Sequence, residues 1–238
     1  MRTQFRALRV AVATLALTGL LAGTATGAQA TTWGTSTKAK LTLVHGVPGP
    51  NGFPVDISVY KLAVGSQVFE DVTFGTVAGP LDVSSGLYWI GIRPANAPRF
   101  STPILSRWIY LWPGDNKSVI AHLSADGTPR ISVFRNDVSA TGDQARVTVR
   151  HLAAAPAVDV YAGPSPVIED LTNPNQAKIQ VPGGTYPIAV APANTNLASA
   201  VFGPADLTFA THTNTIVYAV GSLAGGSFTP LIQVLPTA

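Results

Sequence analysis

The chain contains 238 residues, of which 46% are hydrophobic and 11% charged, and it has no cysteine. This hydrophobic content excludes intrinsic disorder, and the lack of cysteine excludes disulfides, thiol catalysis and thiolate metal sites. The formal net charge is +3, but Arg2, Arg6 and Arg9 account for all of the excess, and residues 31–238 carry twelve basic and twelve acidic groups. Because no cluster of Lys and Arg lies beyond these three arginines, we expect no nucleic-acid partner.

Residues 1–30 have the pattern of a secretory signal peptide. The three arginines precede an apolar stretch at residues 10–22, and Ala28-Gln29-Ala30 fits a small-x-small cleavage site. The alternative is an uncleaved membrane anchor, but the stretch is shorter than the ~20 residues that a spanning helix needs. We therefore expect an extracytoplasmic protein, secreted or held in the cell envelope, with no membrane span after signal cleavage.

The rest of the chain contains two copies of one pattern. Leu41-Thr42-Leu43-Val44-His45 returns as Val147-Thr148-Val149-Arg150-His151, and Gly86-Leu87-Tyr88 returns as Gly184-Thr185-Tyr186. A duplicated unit explains these matches better than chance. We predict an N-terminal linker at 31–38, a first repeat at 39–136, a polar linker at 137–144 and a second repeat at 145–238.

Both repeats have the composition of β-structure. Short runs rich in Val, Ile, Thr and Tyr alternate with clusters of Gly, Pro, Asn and Asp, and no long window shows a helical period. The predicted strands of the first repeat are 40–45, 55–60, 79–83, 87–92, 107–111, 117–123 and 130–134. Those of the second repeat are 146–151, 158–162, 177–181, 185–190, 206–209, 215–221 and 229–234. The pattern predicts an all-β fold of two tandem immunoglobulin-like or transthyretin-like β-sandwich domains.

Several motifs together resemble a known family. A strand that ends in His is followed by an apolar loop, a Val-Asp-Val strand, Pro182-Gly183-Gly184-Thr185-Tyr186 and a late strand that reads Asn-Thr-Ile-Val-Tyr-Ala-Val-Gly. This order resembles the bacterial domain of unknown function 4397, over nearly all of residues 148–234 and more weakly over 41–134. The resemblance implies an exported β-sandwich module that often occurs in tandem, and it implies no reaction.

Two pairs of polar residues recur in the repeats. His45 with Asp56, and His151 with Asp159, fit either a metal or acid–base site or a structural arrangement. In the structural arrangement, each His binds a loop carbonyl and each Asp binds backbone N–H groups. Two side chains make a poor metal site without a third ligand, so we favour the structural interpretation and expect no cofactor, metal or catalytic residue.

Two acidic dipeptides recur as well. Glu70-Asp71 of the first repeat returns as Glu169-Asp170 of the second. Adjacent residues on a strand point to opposite faces, so neither dipeptide can form a facing carboxylate pair. We interpret both as solvated turns.

The run Trp108-Ile109-Tyr110-Leu111-Trp112 is the most informative local feature. Alternation along a strand places its three aromatic residues on one face and the two aliphatic residues on the other. The aliphatic positions are apolar in both repeats, so we predict that they face the core. The aromatic row then either packs against the second domain or a loop, or forms a ligand or partner surface, and the third alternative is that the two strands are misaligned. Arg93, Arg99 and Arg107 lie nearby, either as a charged addition to that surface or as solubilising groups.

These features favour an exported, non-catalytic binding or structural module of the cell envelope or extracellular space. The predicted ligand-binding residues are Trp108, Tyr110 and Trp112, and the expected partner is an envelope glycan or another envelope protein. The alternative is a secreted hydrolase or metal-dependent enzyme that uses the repeated His/Asp pairs.

Overall fold

The computed structural model describes residues 37–49, 53–62, 64–98 and 100–238, so the predicted signal peptide lies outside the described residues. Sixteen β-strands and one short 3-10 helix, Leu197–Ser199, make up the regular structure of the described residues. The strands of the first repeat are β1 Lys38–His45, β2 Val55–Lys61, β3 Gly65–Val72, β4 Val77–Ser84, β5 Gly86–Pro94, β6 Leu105–Leu111, β7 Asn116–Leu123 and β8 Pro129–Arg135. Those of the second repeat are β9 Gln144–His151, β10 Val158–Ala162, β11 Ser165–Leu171, β12 Gln176–Pro182, β13 Gly184–Pro192, β14 Phe202–Phe209, β15 Thr213–Val220 and β16 Thr229–Pro236.

Each repeat is a sandwich of two four-stranded sheets. In the first repeat, sheet I has the order β4-β1-β7-β8 and sheet II the order β3-β2-β5-β6. In the second repeat, sheet III (β12-β9-β15-β16) and sheet IV (β11-β10-β13-β14) have the same order, shifted by eight strands. The pairs β1–β7 and β9–β15 are parallel, and the other pairs are antiparallel. The shared topology confirms the prediction of two tandem β-sandwiches.

Two strands, β3 and β11, are absent from the predicted set. Both contain the recurring acidic dipeptide, so the interpretation of Glu70-Asp71 and Glu169-Asp170 as solvated turns is wrong. Asp71 and Asp170 have φ of 54° and 50°, close to register shifts in the pairing with β2 and β10. These shifts are β-bulges, in which an extra residue interrupts the alternation by which a strand is recognised.

The two sandwiches pack against each other through sheets I and III. Each sandwich has its own core of alternating inward-facing side chains. A third cluster joins the outer faces of the two sheets, with Val44 and Ile120 from the first repeat against Ile216, Tyr218 and Val220 from the second. The molecule therefore has four sheet layers, in the order II, I, III, IV.

A buried polar network lies inside this contact between the repeats. The Arg150 side chain is fully buried and donates to Gln176 Oε1 at 3.0 Å, Tyr218 Oη at 3.2 Å and Asn136 Oδ1 at 2.9 Å. It also donates to the Arg135 carbonyl at 3.2 Å. Since Arg135 and Asn136 belong to the first repeat, these bonds join the two sandwiches.

The segment between β8 and β9 is held down by its own polar contacts. Asp137 lies 2.9 Å from Lys178 Nζ and 3.3 Å from Arg146 Nη1, and its carbonyl accepts from Asn214 Nδ2 at 2.9 Å. Hydrogen bonds from the Ser139 hydroxyl and then Lys178 hold the pKa of the Asp137 carboxyl well below its usual range. These contacts fix the start of the linker to the second repeat.

Candidate functional site

The aromatic run forms the second half of β6 and extends one residue beyond it, at the free edge of sheet II. Ile109 and Leu111 are 6% and 0% exposed, so they face the core as predicted. Trp108, Tyr110 and Trp112 are 54%, 45% and 62% exposed. The interpretation in which this row packs against the second domain or a loop is therefore wrong, because the row lies on an outer face and the second repeat packs on sheet I.

A fourth aromatic residue extends the row across the sheet. Trp89 on β5 pairs directly with Trp108 and is half-buried. Residues that pair across strands share a face of the sheet, so the indole of Trp89 continues the exposed surface. We call Trp89, Trp108, Tyr110 and Trp112 the aromatic platform. Trp89 was not among the predicted site residues, because its place beside Trp108 depends on the register of β5 against β6.

Local packing holds the rings of the platform in place. A Cβ on Gly91 would lie 2.3 Å from Cη2 of Trp89, so only glycine leaves room for this indole. The Arg93 guanidinium lies 5.7 Å from the centre of the Trp89 ring, within the range of a cation–π contact. The rings of Tyr110 and Trp112 are 4.5 Å apart and tilted by 54°. The platform is therefore supported by its neighbours before any ligand arrives.

Two of the three nearby arginines have structural partners. Arg93 Nε donates to the Ser101 carbonyl at 2.7 Å, and its Nη1 donates to Ser58 Oγ at 3.2 Å. Arg107 Nη1 donates to the Ile131 carbonyl at 3.1 Å, which ties sheet II to sheet I. The predicted role of Arg99 lies outside the described residues. The described arginines thus hold the sandwich together beside the platform.

In both repeats, the His and the Asp of the repeated pair bind different backbone groups. Nε2 of His45 lies 2.9 Å from the Phe53 carbonyl and Nε2 of His151 lies 2.7 Å from the Pro156 carbonyl, so each donates a hydrogen bond to the loop after its strand. The carboxylates of Asp56 and Asp159 instead accept the backbone N–H groups of the two bulge residues, at 3.1 and 2.8 Å. This is the structural interpretation of the pairs. Within the described part of the chain, no three His, Asp or Glu side chains are close enough to hold a metal ion.

Three of the four histidines are buried as neutral imidazoles. Burial lowers the pKa of His45, His122 and His151 below its ordinary value, against the smaller opposing effect of their backbone hydrogen bonds. Nδ1 of His122 donates a hydrogen bond to the Leu123 carbonyl, and its Nε2 accepts one from the Ser132 hydroxyl, both at 2.8 Å. Their neutral state has a consequence for stability at mildly acidic pH.

We expect the free energy of unfolding to fall as the pH drops below about 6.5, the ordinary pKa of imidazole in an unfolded chain. In that window the unfolded state binds protons that the folded state does not, so stability decreases by up to about 1.4 kcal/mol per pH unit for each buried imidazole. The loss levels off below the lowered folded-state pKa values. Urea denaturation between about pH 7.5 and 5.5 measures the slope.

The matched variants are His151→Gln and His212→Gln, because the side chain of His212 is 61% exposed. The first variant should show a shallower dependence on pH than the parent protein, and the second should show the same dependence. Equal slopes for the parent and His151→Gln would contradict this assignment of the buried imidazoles.

Fold and platform together define a tandem β-sandwich protein with an exposed aromatic face on its first repeat. The chain belongs to the family described as a domain of unknown function, DUF4397, whose profile matches residues 39–161. This segment contains the whole first repeat and the first two strands of the second. The match therefore falls on the repeat whose motifs resemble the family more weakly.

The other comparisons add little. No curated protein matches the chain. Among solved structures, the chain is similar to one titled "The Bacillus anthracis TIE protein", with 13% identity, 78% of this chain and 33% of that chain covered, and a TM-score of 0.25. The chain thus spans about a third of that protein, and a similarity this weak supports no argument about function. In the described residues, no helix has the length and apolar character needed to cross a membrane.

Proposed function

We propose that this protein is an exported, non-catalytic binding module of the cell envelope or extracellular space, and that the aromatic platform binds envelope glycan. The observation that supports the proposal is the platform itself: four aromatic side chains share one outer face, and three of them are about half exposed. Large exposed apolar patches on folded proteins are usually interaction sites. Indole and phenol rings provide flat apolar faces together with a polar edge, which suits the faces and hydroxyls of sugar rings.

Comparison with the second repeat indicates that the sandwich fold does not need these aromatic residues. The positions of Trp108, Tyr110 and Trp112 are taken there by Asp206, Thr208 and Ala210, on a strand with the same place in its sheet. The same topology therefore forms without the platform. Because large apolar side chains on a surface gain little from burial, we attribute those of the first repeat to ligand binding.

Charge supports a neutral or weakly charged ligand. Residues 31–144 carry nine basic and eight acidic groups, so the first repeat has little net charge with which to attract a charged partner over a distance. Arg93, whose guanidinium lies over the Trp89 ring, already bonds to Ser58 and Ser101. Contact with the rings would then supply most of the affinity.

The double variant Trp108→Ala/Trp112→Ala is expected to bind isolated cell wall at least about tenfold more weakly, a loss of about 1.4 kcal/mol. Cosedimentation of the purified protein with cell wall measures the affinity. The melting temperature should change little, because substitutions at exposed positions usually alter stability by no more than about 0.5 kcal/mol. Phe100→Ala is the matched control, since Phe100 is 94% exposed and lies outside the platform.

Protease treatment of the cell wall separates the two partner classes. Binding that survives protease and is lost after glycan digestion supports the glycan. Binding that is lost after protease alone points to another envelope protein and would overturn the glycan proposal. Unchanged binding by the double variant, or a large loss of stability, would overturn the role of the platform.

A further inference from the structure

The second sandwich contains an apolar cavity of about 280 Å³ between sheets III and IV. Its lining comes from strands of both sheets and includes Val147, Val149, Val160, Ala162, Ile188 and Phe209. The first sandwich has the same strand order, but its inner face is more completely buried. Tyr88, Ile90, Ile109 and Val119 are all nearly inaccessible there, whereas their counterparts Tyr186, Ile188, Leu207 and Val217 are only half-buried.

Smaller side chains in the second repeat account for the space. The positions that pair equivalently in the two repeats lose one to three carbon atoms each. Leu41, Leu43, Ile57, Val59 and Phe69 of the first repeat correspond to Val147, Val149, Val160, Ala162 and Ile168 of the second. Leu111 becomes the larger Phe209, but one ring does not offset five truncations. Interiors are normally packed as densely as organic crystals, so a space of this size calls for an explanation.

One edge of the second sandwich is open to solvent. In the first repeat, Arg107 of β6 donates to the Ile131 carbonyl of β8 and closes the corresponding edge. Ala205 of β14 takes the place of Arg107 and has no hydrogen-bonding side chain. Ile232 and Val234 of β16 alternate with residues that face the domain contact, so they face the sandwich interior, yet they are 46% and 55% exposed. The cavity lining reaches this edge at Phe202 of β14 and Pro230 of β16, both only half-buried, and we place the mouth of the cavity there.

The side chains that line the cavity favour a hydrocarbon ligand. Among the described residues, no charged side chain lines the cavity, and the two polar side chains that do are already engaged. His151 donates from Nε2 to the Pro156 carbonyl, and the Tyr186 hydroxyl donates to the Pro182 carbonyl at 2.9 Å. A peptide or a sugar would bring N–H, C=O or O–H groups into a space without free partners, which is costly. An alkyl chain has no such groups.

We propose that this cavity is a binding site for the hydrocarbon chain of a fatty acid or single-chain lipid, with the polar head at the mouth between β14 and β16. An apolar cavity of about 150 Å³ holds one benzene ring, so the larger space here suits roughly ten to twelve carbon atoms. The site belongs to the second repeat and is separate from the aromatic platform, so each can be tested without the other.

A series of straight-chain fatty acids, from about six to about sixteen carbons, tests the proposal on the purified protein. Affinity should rise about fourfold for each added methylene and then level off near ten to twelve carbons, when the chain outgrows the cavity. Titration calorimetry gives the affinities, and native mass spectrometry should show one acid per chain. A rise that continues to the longest acid would indicate adsorption to an apolar surface and would overturn the proposal, as would no saturable binding.

Filling the cavity with the residues of the first repeat provides the matched variant. Val149→Leu/Ala162→Val/Ile168→Phe should weaken dodecanoate binding at least about tenfold and shift the plateau to shorter chains, while stability stays the same or increases. Ala210→Val adds carbon at an exposed position and should bind like the parent protein. If the triple variant fails to fold, Ala205→Arg tests the same site from its mouth and should weaken binding. Unchanged affinity in the folded variant would overturn the proposal.

Two further arms identify the source of the chain. If the protein cosediments with phosphatidylglycerol vesicles, and added fatty acid abolishes this cosedimentation, the ligand is a membrane lipid. If the protein binds dissolved fatty acid but not the vesicles, the ligand is a free fatty acid. Both outcomes support the hydrocarbon site. A protein that binds neither and is a dimer through β14 and β16 would overturn it, since a second copy then covers the mouth.

Discussion

Replacing Arg150 with alanine is expected to lower the free energy of unfolding by about 3–5 kcal/mol. The substitution removes a fully buried side chain and takes one donor from each of its four oxygen acceptors, of which Asn136 Oδ1 keeps a second donor, the Ser118 hydroxyl. The guanidinium also lies over the rings of Phe134 and Tyr218, at 4.8 and 5.3 Å, so packing is lost as well. Urea denaturation measures the change, and tryptophan fluorescence reports on the first repeat, in which all described tryptophans lie.

Two further variants separate the causes. Arg150→Met keeps much of the volume and removes the charge, so it should lose only about 1–3 kcal/mol, from the unpaired acceptors. Arg130→Ala removes an exposed arginine of β8 and should change stability by no more than about 0.5 kcal/mol. A loss below about 1 kcal/mol for Arg150→Ala would show that the network contributes little to the contact between the repeats.

Arg150 is unusual because no carboxylate pairs with it among its described contacts. A buried charge is normally costly unless it is paired. Here the carbonyl and amide oxygens and two ring faces replace a counter-ion, and burial lowers the pKa of Arg150 while it raises that of Tyr218. Tyr218 in turn donates to Gln233, and Gln233 reaches Thr42 of the first repeat at 2.8 Å. The network therefore fixes the two sandwiches in one orientation, with sheets II and IV on opposite outer faces.

Alternation of apolar residues was sufficient to predict most of the fold. Ile109 and Leu111 are apolar in both repeats at the same strand position, and this comparison predicts correctly which face of β6 is buried. The two strands that alternation misses, β3 and β11, are edge strands with bulges at Asp71 and Asp170. An edge strand that is polar on its outer side and irregular in register lacks the periodic pattern on which the prediction depends.

Other features depend on contacts between distant segments. Arg150 corresponds to Val44 in the duplicated pattern, and a charged residue at the outer face of a sheet is ordinarily solvated. Its burial follows only from the packing of sheet III on sheet I. Trp89 joins the platform through the register of β5 against β6, and the cavity arises from small differences in volume at several positions. None of these is visible in a single segment of sequence.

The structure explains why glycine ends the motif Asn-Thr-Ile-Val-Tyr-Ala-Val-Gly. Gly221 follows β15 with φ of 87°, and a Cβ there would lie 2.1 Å from the Ser227 carbonyl oxygen. Its N–H donates to the Gly46 carbonyl of the first repeat at 3.3 Å, and its carbonyl accepts from Ala154 at 2.8 Å. Gly221 therefore combines a left-handed backbone with a close approach to Ser227 in its own loop, which no residue with a Cβ can reproduce, and its backbone also bonds to the first repeat.

Gly221→Ala is accordingly expected to lower the free energy of unfolding by about 2–4 kcal/mol, from backbone strain together with the clash at Ser227. Gly226 is the matched control in the same loop, because its φ is 65° but a Cβ would meet no atom within 4 Å. Gly226→Ala should therefore lose only about 1 kcal/mol, from strain alone. Urea denaturation of both variants gives the difference, which measures the steric part directly. Equal losses would mean that the loop at 221–228 moves to accept the methyl group, and that the contact with Gly46 does not require glycine.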